Sequence, residues 1–244
     1  MRGYTRAGLG VAAVLLVAVA LWVVLHPSAG EQVLSTHPGE RATVQLPDGS
    51  EVVLNASSQL VYDPAAFADG RRHVRVDGEA FLSVARTPDT PRPGFRVETP
   101  DGTVRVLGTR FSVTSRDGDT RVVLDEGRVA VDTRAADRDT TVHMEPGDLV
   151  QFDRETGRIE RRLVNPRVYS SWTSGTLVFD ETPVAEVVDR IEATFNVEVV
   201  VEDPAVFDRT VSGSVENDLP TIVSGLSQIL DRPIDRRGDR VVIR

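Results

Sequence analysis

Cysteine is absent from all 244 residues, which removes disulfide frameworks, thiolate metal sites and cysteine nucleophiles together. Lysine is absent as well, so all 28 basic residues are arginine. Histidine is scarce: His26, His37, His73 and His143 show no i, i+4 pairing of the kind a zinc-binding helix uses. Asp117, Gly118 and Asp119 hint at a calcium loop, but most of the intervening ligands and the closing glutamate are missing, and a hairpin turn accounts for them better. No glycine-rich phosphate loop, dinucleotide fingerprint or Gly-x-Ser-x-Gly elbow occurs. Substrate turnover is therefore not expected, nor is a metal or a cofactor.

What is present begins with AGLGVAAVLLVAVALWVVL, residues 7–25, an uncharged run of 19 residues. At helical rise it spans about 28 Å, the thickness of a bilayer core. A cleaved signal peptide would have a shorter apolar region, and HPSAG after it is a poor cleavage site. The run is thus read as a retained anchor. Arg2 and Arg6 on its short side hold residues 1–6 in the cytoplasm by the positive-inside rule and send everything after His26 outward. That outer part carries 37 acidic residues against 28 − 2 = 26 basic ones, a formal charge of −11. Such a field disfavours nucleic acid as a partner.

From about Arg41 to Arg162 the pattern has period two. Turn dipeptides punctuate it: Asp48-Gly49, Asp77-Gly78, Asp101-Gly102, Asp117-Gly118, Glu126-Gly127 and Pro146-Gly147. Valine-rich segments such as EVVLN, HVRV, EAFLSV, TVRVL and TRVVLD lie between them. The expectation is a mainly β unit over 39–153, a solenoid, roll or sandwich, preceded by a linker at 26–38. Within it RVLGTRFSV, residues 105–113, alternates like one strand yet carries Gly108-Thr109 at its centre.

Residues 154–171 read as a joint, and a different pattern follows over 172–244. A strand TLVFD leads to Thr182-Pro183, read as a helix cap with proline at the first helical position. Val184, Val187, Val188, Ile191 and Phe195 then recur at helical spacing. A second helix announced by Asp218 places Ile222, Val223, Leu226, Ile229 and Leu230 on one face. With strands at VEVVV and TVSGSV, and residues 233–236 with VVIR at the C-terminus closing the sheet as its last element, the order is β-α-β-β-α-β, a small α+β module.

The stretches ERATVQLPDGSEVVLNASSQLVYDP, RHVRVDGEAFLSVARTPDTPRPGFRVETPDGTVRVLGTRFSV, EGRVAV and MEPGDLVQF resemble the FecR family of membrane-anchored sigma-factor regulators over residues 39–152. Residues 176–244 resemble the short domain found at the N-termini of secretins and TonB-dependent transducers and at the C-termini of FecR-like regulators. The resemblance implies an inner-membrane protein with its bulk in the periplasm, receiving a signal from a TonB-dependent outer-membrane transducer. It also implies an extracytoplasmic-function sigma factor as partner. The family's cytoplasmic helical segment has about six residues to correspond to it here, which leaves three readings open: a start further upstream, with the sigma factor bound directly; another subunit that carries the sigma-binding function; or an outer part kept for a different binding role. Two other readings keep the architecture: a periplasmic lipid-bridge protein and an envelope scaffold.

Five sets of residues are candidates for a role. Gly108-Thr109 falls where several FecR-like regulators are reported to cleave themselves, the threonine hydroxyl attacking the glycine carbonyl; a strand corner is the competing reading. Glu79, in DGEAF beside Gly78, and Asn55, in LNASS, match motif positions, and both read as structural groups that satisfy turns. Asp48 and Gly49 read as a hairpin turn. Val197, Val199 and Val201, or Val211 and Val215, mark strands to whose edge a partner could add, although a valine run also suits a buried central strand.

Overall fold

A computed structural model describes residues 30–86, 94–116, 118–135, 138–153 and 155–244. The span read as a membrane anchor lies outside these residues, and among them no helix is long and apolar enough to cross a membrane.

The β unit is organised by one strand. After β1 (Gln32–Ser35), β2 (Ala42–Gln45), β3 (Glu51–Leu54), β4 (Gln59–Tyr62) and the short helix α1 (Pro64–Ala68) comes β5 (His73–Ser83), 11 residues long. Its first half pairs with β4 and, in parallel, with β6 (Phe95–Glu98). Its second half pairs with β3 and with β8 (Arg110–Arg116). Two layers therefore share it. Layer A runs β1-β4-β5-β6-β7-β10-β11, with β7 (Gly102–Val106), β10 (Val129–Ala135) and β11 (Arg138–Met144). Layer B runs β2-β3-β5-β8-β9-β12-β13, with β9 (Asp119–Glu126), β12 (Asp148–Asp153) and β13 (Ile159–Leu163). The result is one large sheet curled over itself at β5.

Strand alternation explains the curl. Val74, Val76, Ala80 and Leu82 of β5 all face the interior, where they meet Leu54, Leu60, Val97, Val104, Val113, Val122 and Val131 from both layers. Phe95, Phe111 and Phe152 are fully buried there, each contributing about 1.5–3 kcal/mol of apolar transfer. The interior between the two layers is filled by these side chains. Two expectations change accordingly. Asp77-Gly78 is not a hairpin turn but lies inside β5, joining HVRV to EAFLSV. The linker at 26–38 contains β1, and β13 extends layer B to Leu163, beyond the boundary drawn at 153.

Asp148 ties β12 to β13. Its carboxylate accepts from Arg161 Nε at 3.0 Å and Nη2 at 2.7 Å, and from the Glu145 amide at 2.7 Å. Burial pushes the carboxyl upward, but these hydrogen bonds outweigh it and hold the group below the ordinary aspartate range. An acid with a depressed folded pKa contributes stability that is complete above its unfolded value, near 4, and is lost as pH falls through the folded value. Asp148→Asn is expected to cost about 1–3 kcal/mol at pH 7, and the gap between variant and parent should close in urea titrations as pH is carried down through the folded value. A gap independent of pH would show that shape rather than charge is at stake.

The joint read at 154–171 is built structure. Helix α2 (Arg167–Ser170) and the 3-10 turn Ser171–Ser174 lead into β14 (Thr176–Pro183), and the second unit follows: α3 (Val184–Phe195), β15 (Glu198–Val201), a 3-10 turn at Pro204–Asp208, β16 (Thr210–Glu216), α4 (Leu219–Leu230), β17 (Ile234–Arg237) and β18 (Arg240–Ile243). The expected order gains a strand, because Gly238 at φ +63° turns the last segment into the hairpin β17-β18. The strands form two small sheets, β14-β16 and β15-β18-β17, rather than one. Helix α3 starts one residue later than Thr182-Pro183 implied: Pro183 is the N-cap, while Thr182 is buried and accepts from the Asp180 amide. Asp218 caps α4 as expected, accepting from Thr221 N at 3.0 Å. Val184, Val187, Val188, Ile191, Ile222, Leu226 and Leu230 form the core of this unit, whereas Ile229, placed on the apolar face by spacing, is 44% exposed.

Candidate functional site

Gly108 and Thr109 sit where the chain leaves β7 of layer A and enters β8 of layer B. RVLGTRFSV is therefore two strands in two layers, which is why its alternation breaks. The return crossing, from β9 to β10 through Gly127 and Arg128, lies against it: Thr109 Oγ1 donates to the Arg128 carbonyl at 3.0 Å. The Thr109 carbonyl accepts from Val84 N at 2.9 Å, and Thr109 is only 3% exposed. Glycine is required at 108 by crowding, since a Cβ there would come within 2.8–3.0 Å of Arg86 Cβ, Cγ and Cα. Gly127, at φ +97°, performs the reciprocal service: its missing Cβ would fall 2.8 Å from both Gly108 O and Thr109 Oγ1. The carbonyl and the hydroxyl thus share the space that Gly127 vacates. Reading the sequence marked Gly127 only as a turn and missed Arg86 and Arg128 altogether.

A polar corner lies at the bend of β5. Asn55 Nδ2 donates to Glu79 Oε2 at 2.8 Å, and the main chains join through Asn55 N to Glu79 O at 2.9 Å. Glu79 N donates to Ser58 Oγ, Ser58 N to Thr36 Oγ1, and Thr36 Oγ1 to the Asn55 carbonyl at 2.6 Å. Arg116 closes the ring on the Ala56 carbonyl at 2.7 Å. Most groups in this corner hold backbone, although Asn55 Oδ1 is buried without a partner, and Glu79 has no second carboxylate or histidine among these partners with which to exchange a proton. Asp48 works similarly at the β2-β3 hairpin, where Gly49 adopts φ +83°: its carboxylate receives Ser50 N and Oγ and pairs with the buried Arg72 at 2.6 Å.

The second unit is seated on the outer face of layer B. Val53 and Phe81 pack with Trp172, and Val123 and Leu149 with Val168 and Tyr169. Ser112 Oγ donates to the Tyr169 carbonyl at 3.1 Å, and Arg41 Nη1 to that of Trp172. Arg121 and Arg190 flank the Tyr169 ring at 6.0 and 5.0 Å. Burial first, then the negative field of Glu186, pushes the Tyr169 hydroxyl upward, so it stays neutral. Desolvation likewise raises the Asp125 carboxyl beside Ser170. Period-two and period-3.6 patterns could not have flagged this seat, because Val168, Tyr169 and Trp172 fall on a four-residue helix and a 3-10 turn, each too short to show a period.

The valines named as partner strands divide. Val197 and Val211 are buried in the second unit's core, and Val199, Val201 and Val215 pack against it, so their side chains face inward. β15 is an edge strand rather than a central one, pairing only with β18; β16 pairs only with β14. A surface depression of about 570 Å³ is open and lined by Glu192, Asn196, Val197, Glu198, Arg237, Asp239 and Arg240. No group of three or more His, Asp or Glu side chains among the described residues is placed to hold a metal ion.

Comparison with known proteins places these features. The family described as FecR protein matches residues 32–130, and that described as FecR, C-terminal, matches residues 176–243. Two crystal structures, each of a candidate anti-sigma factor from Parabacteroides distasonis, are similar with TM-scores of 0.73 and 0.71 and identities of 27% and 28%. Each similarity covers 87% of this chain and 98% of the other, so both units and their junction are included. No curated protein matches the chain.

Proposed function

This chain belongs to the FecR family of regulators, and from that premise we propose that it regulates a sigma factor by relaying a signal received outside the cytoplasm through protein–protein binding. In this reading residues 7–25 anchor it once in the inner membrane, the second unit meets the signalling domain of a TonB-dependent outer-membrane transducer, and the sigma factor is reached directly or through a further subunit. The observation that carries it is the seat of Tyr169 and Trp172 on layer B. A partner that grips the second unit pulls on a side-chain-packed contact rather than on a slack tether, so displacement there reaches β5 and both layers. The similar proteins from P. distasonis, described as candidate anti-sigma factors, share this two-unit arrangement. No substrate turnover is needed for such a relay.

The test is affinity capture with the tagged full chain from detergent-solubilised envelope, the bound proteins being identified by mass spectrometry. Recovery of an outer-membrane transducer, together with a sigma factor or a subunit that binds one, is expected. Recovery of lipid-transport or cell-wall components with no transducer would overturn the reading and favour the lipid-bridge or the envelope-scaffold alternative respectively. A second reading, a single self-cleavage between Gly108 and Thr109, is supported by the Gly108 carbonyl oxygen and the Thr109 hydroxyl both bordering the space left by the missing Cβ of Gly127.

A further inference from the structure

β16 has one open edge, and its sequence is unusual there. Val211-Ser212-Gly213-Ser214-Val215 reads identically in both directions and carries no charge. Natural edge strands are blunted by charge, bulges or capped amides, and the other edges of the second unit follow that rule. Val199 N of β15 donates to Glu192 Oε1 at 2.7 Å. β17 carries Asp235, Arg236 and Arg237. On β14, Val178 N donates to Ser171 Oγ at 2.9 Å, and a bulge follows in which Glu181 N donates to Ser212 Oγ at 2.8 Å. Between Val211 and Val215, β16 has no such protection, its one charge, Glu216, standing at the strand's end.

The direction of its main-chain groups can be worked out. Val178 turns its N–H away from β16, so its register partner Ser214 also turns its N–H and C=O away from β14. The Arg209 carbonyl accepts from Val184 N at 3.0 Å, which sets odd-numbered residues toward β14. Thr210, Ser212 and Ser214 therefore present their backbone groups to the open edge. Gly213 is exposed, with nothing within 4 Å of where a Cβ would stand.

We propose that a second copy of this chain pairs antiparallel along β16, about a two-fold axis through Gly213. In that register Ser212 faces Ser214 of the other copy, and the two exchange both main-chain hydrogen bonds on each side of the axis. Gly213 faces itself in the closely spaced, non-hydrogen-bonded position, with Cα atoms about 4.5 Å apart, where a missing side chain favours approach. Val211 faces Val215 of the second copy on the core side, so the two β14-β16 sheets become one of four strands. A palindromic strand satisfies the self-complementarity that a two-fold interface demands. The inference stands apart from the signalling reading, because it rests on this strand alone.

Because the chain has no cysteine, single introduced thiols report the register. Ser212→Cys and Ser214→Cys full-length proteins, tagged differently and mixed in detergent, are expected to form the mixed disulfide several-fold more readily than either variant forms with itself. Residues directly opposite lie about 5.5 Å apart, within bridging range, whereas diagonal ones lie about 7–8 Å apart. Ser214→Pro removes an outward N–H without touching the bonds to β14, so light scattering should show the dimer mass of the full chain halved, with circular dichroism unchanged. A full chain that is monomeric at its highest soluble concentration would overturn the proposal. So would self-disulfides equal to the mixed one, a comparison that decides the matter even if the proline variant fails to fold.

Discussion

Gly78→Ala is expected to unfold the β unit or bring it close to unfolding, while the same change at Gly49 is tolerated. Both glycines adopt positive φ, +94° and +83°, so both substitutions carry the left-handed penalty of about 1–2 kcal/mol. They differ in what surrounds them. An added Cβ at Gly49 meets nothing within 4 Å, whereas at Gly78 it falls 2.5 Å from Ser58 Oγ and 2.7 Å from Ser58 Cα. Ser58 cannot yield, being held through its amide to Thr36 Oγ1, its carbonyl to Thr36 N and its hydroxyl to Ala56 O and Glu79 N. The clash therefore transfers to β5, the one strand both layers share. A loss of at least about 3 kcal/mol beyond that of Gly49→Ala is expected, read as a difference in urea midpoint with fluorescence of the buried Trp172. Equal losses in the two variants would mean that the corner is pliable and that β5 does not hold the layers together.

The same residues show what the sequence could and could not disclose. Strand content was legible because Val74, Val76, Ala80 and Leu82 alternate with residues outside the shared core, and helix α4 because Asp218 caps a one-sided apolar stripe. The curl at β5 was not: a glycine after aspartate looks alike whether it closes a hairpin or lets a strand bend past a serine 20 positions away. Which strands belong to which layer was equally hidden, since alternation records inward and outward faces but not the identity of the neighbour. Long-range packing also decided the candidate sites. Gly108-Thr109 was visible as a dipeptide, but the clamp of Arg86, Gly127 and Arg128 exists only once two crossings lie side by side. The Tyr169-Trp172 seat had no local signal because its binding face is supplied by layer B.

Thr109→Ala is expected to abolish any cleavage of the chain between residues 108 and 109, and Thr109→Ser to preserve it. The reaction proposed is an N-to-O acyl shift. Thr109 Oγ bonds to the Gly108 carbonyl carbon, the Gly108–Thr109 C–N bond breaks, and the hydroxyl proton ends on the departing nitrogen. Water then opens the ester, leaving a carboxylate on Gly108 and restoring the Thr109 hydroxyl. Gly127→Ala should slow the first step strongly, because its Cβ would enter the space shared by Gly108 O and Thr109 Oγ1. Uncut parent protein, or a Thr109→Ala variant with the parent's fragment pattern on denaturing gels, would remove the idea and leave the dipeptide as a corner. The topology adds a sharper expectation for the cut protein. Layer A takes β1 and β4 to β7 from before the bond and β10 and β11 from after it; layer B takes β2 and β3 from before and β8, β9, β12 and β13 from after, with β5 common to both. The β5-β8 and β7-β10 ladders both bridge the break. The fragments should therefore elute together in native buffer and separate only when urea melts the whole unit. Such a pair could be parted by a pull on the second unit, whereas an intact chain could not. Fragments that drift apart in native buffer would show that the crossing itself, and not the interleaved strands, keeps the two layers closed.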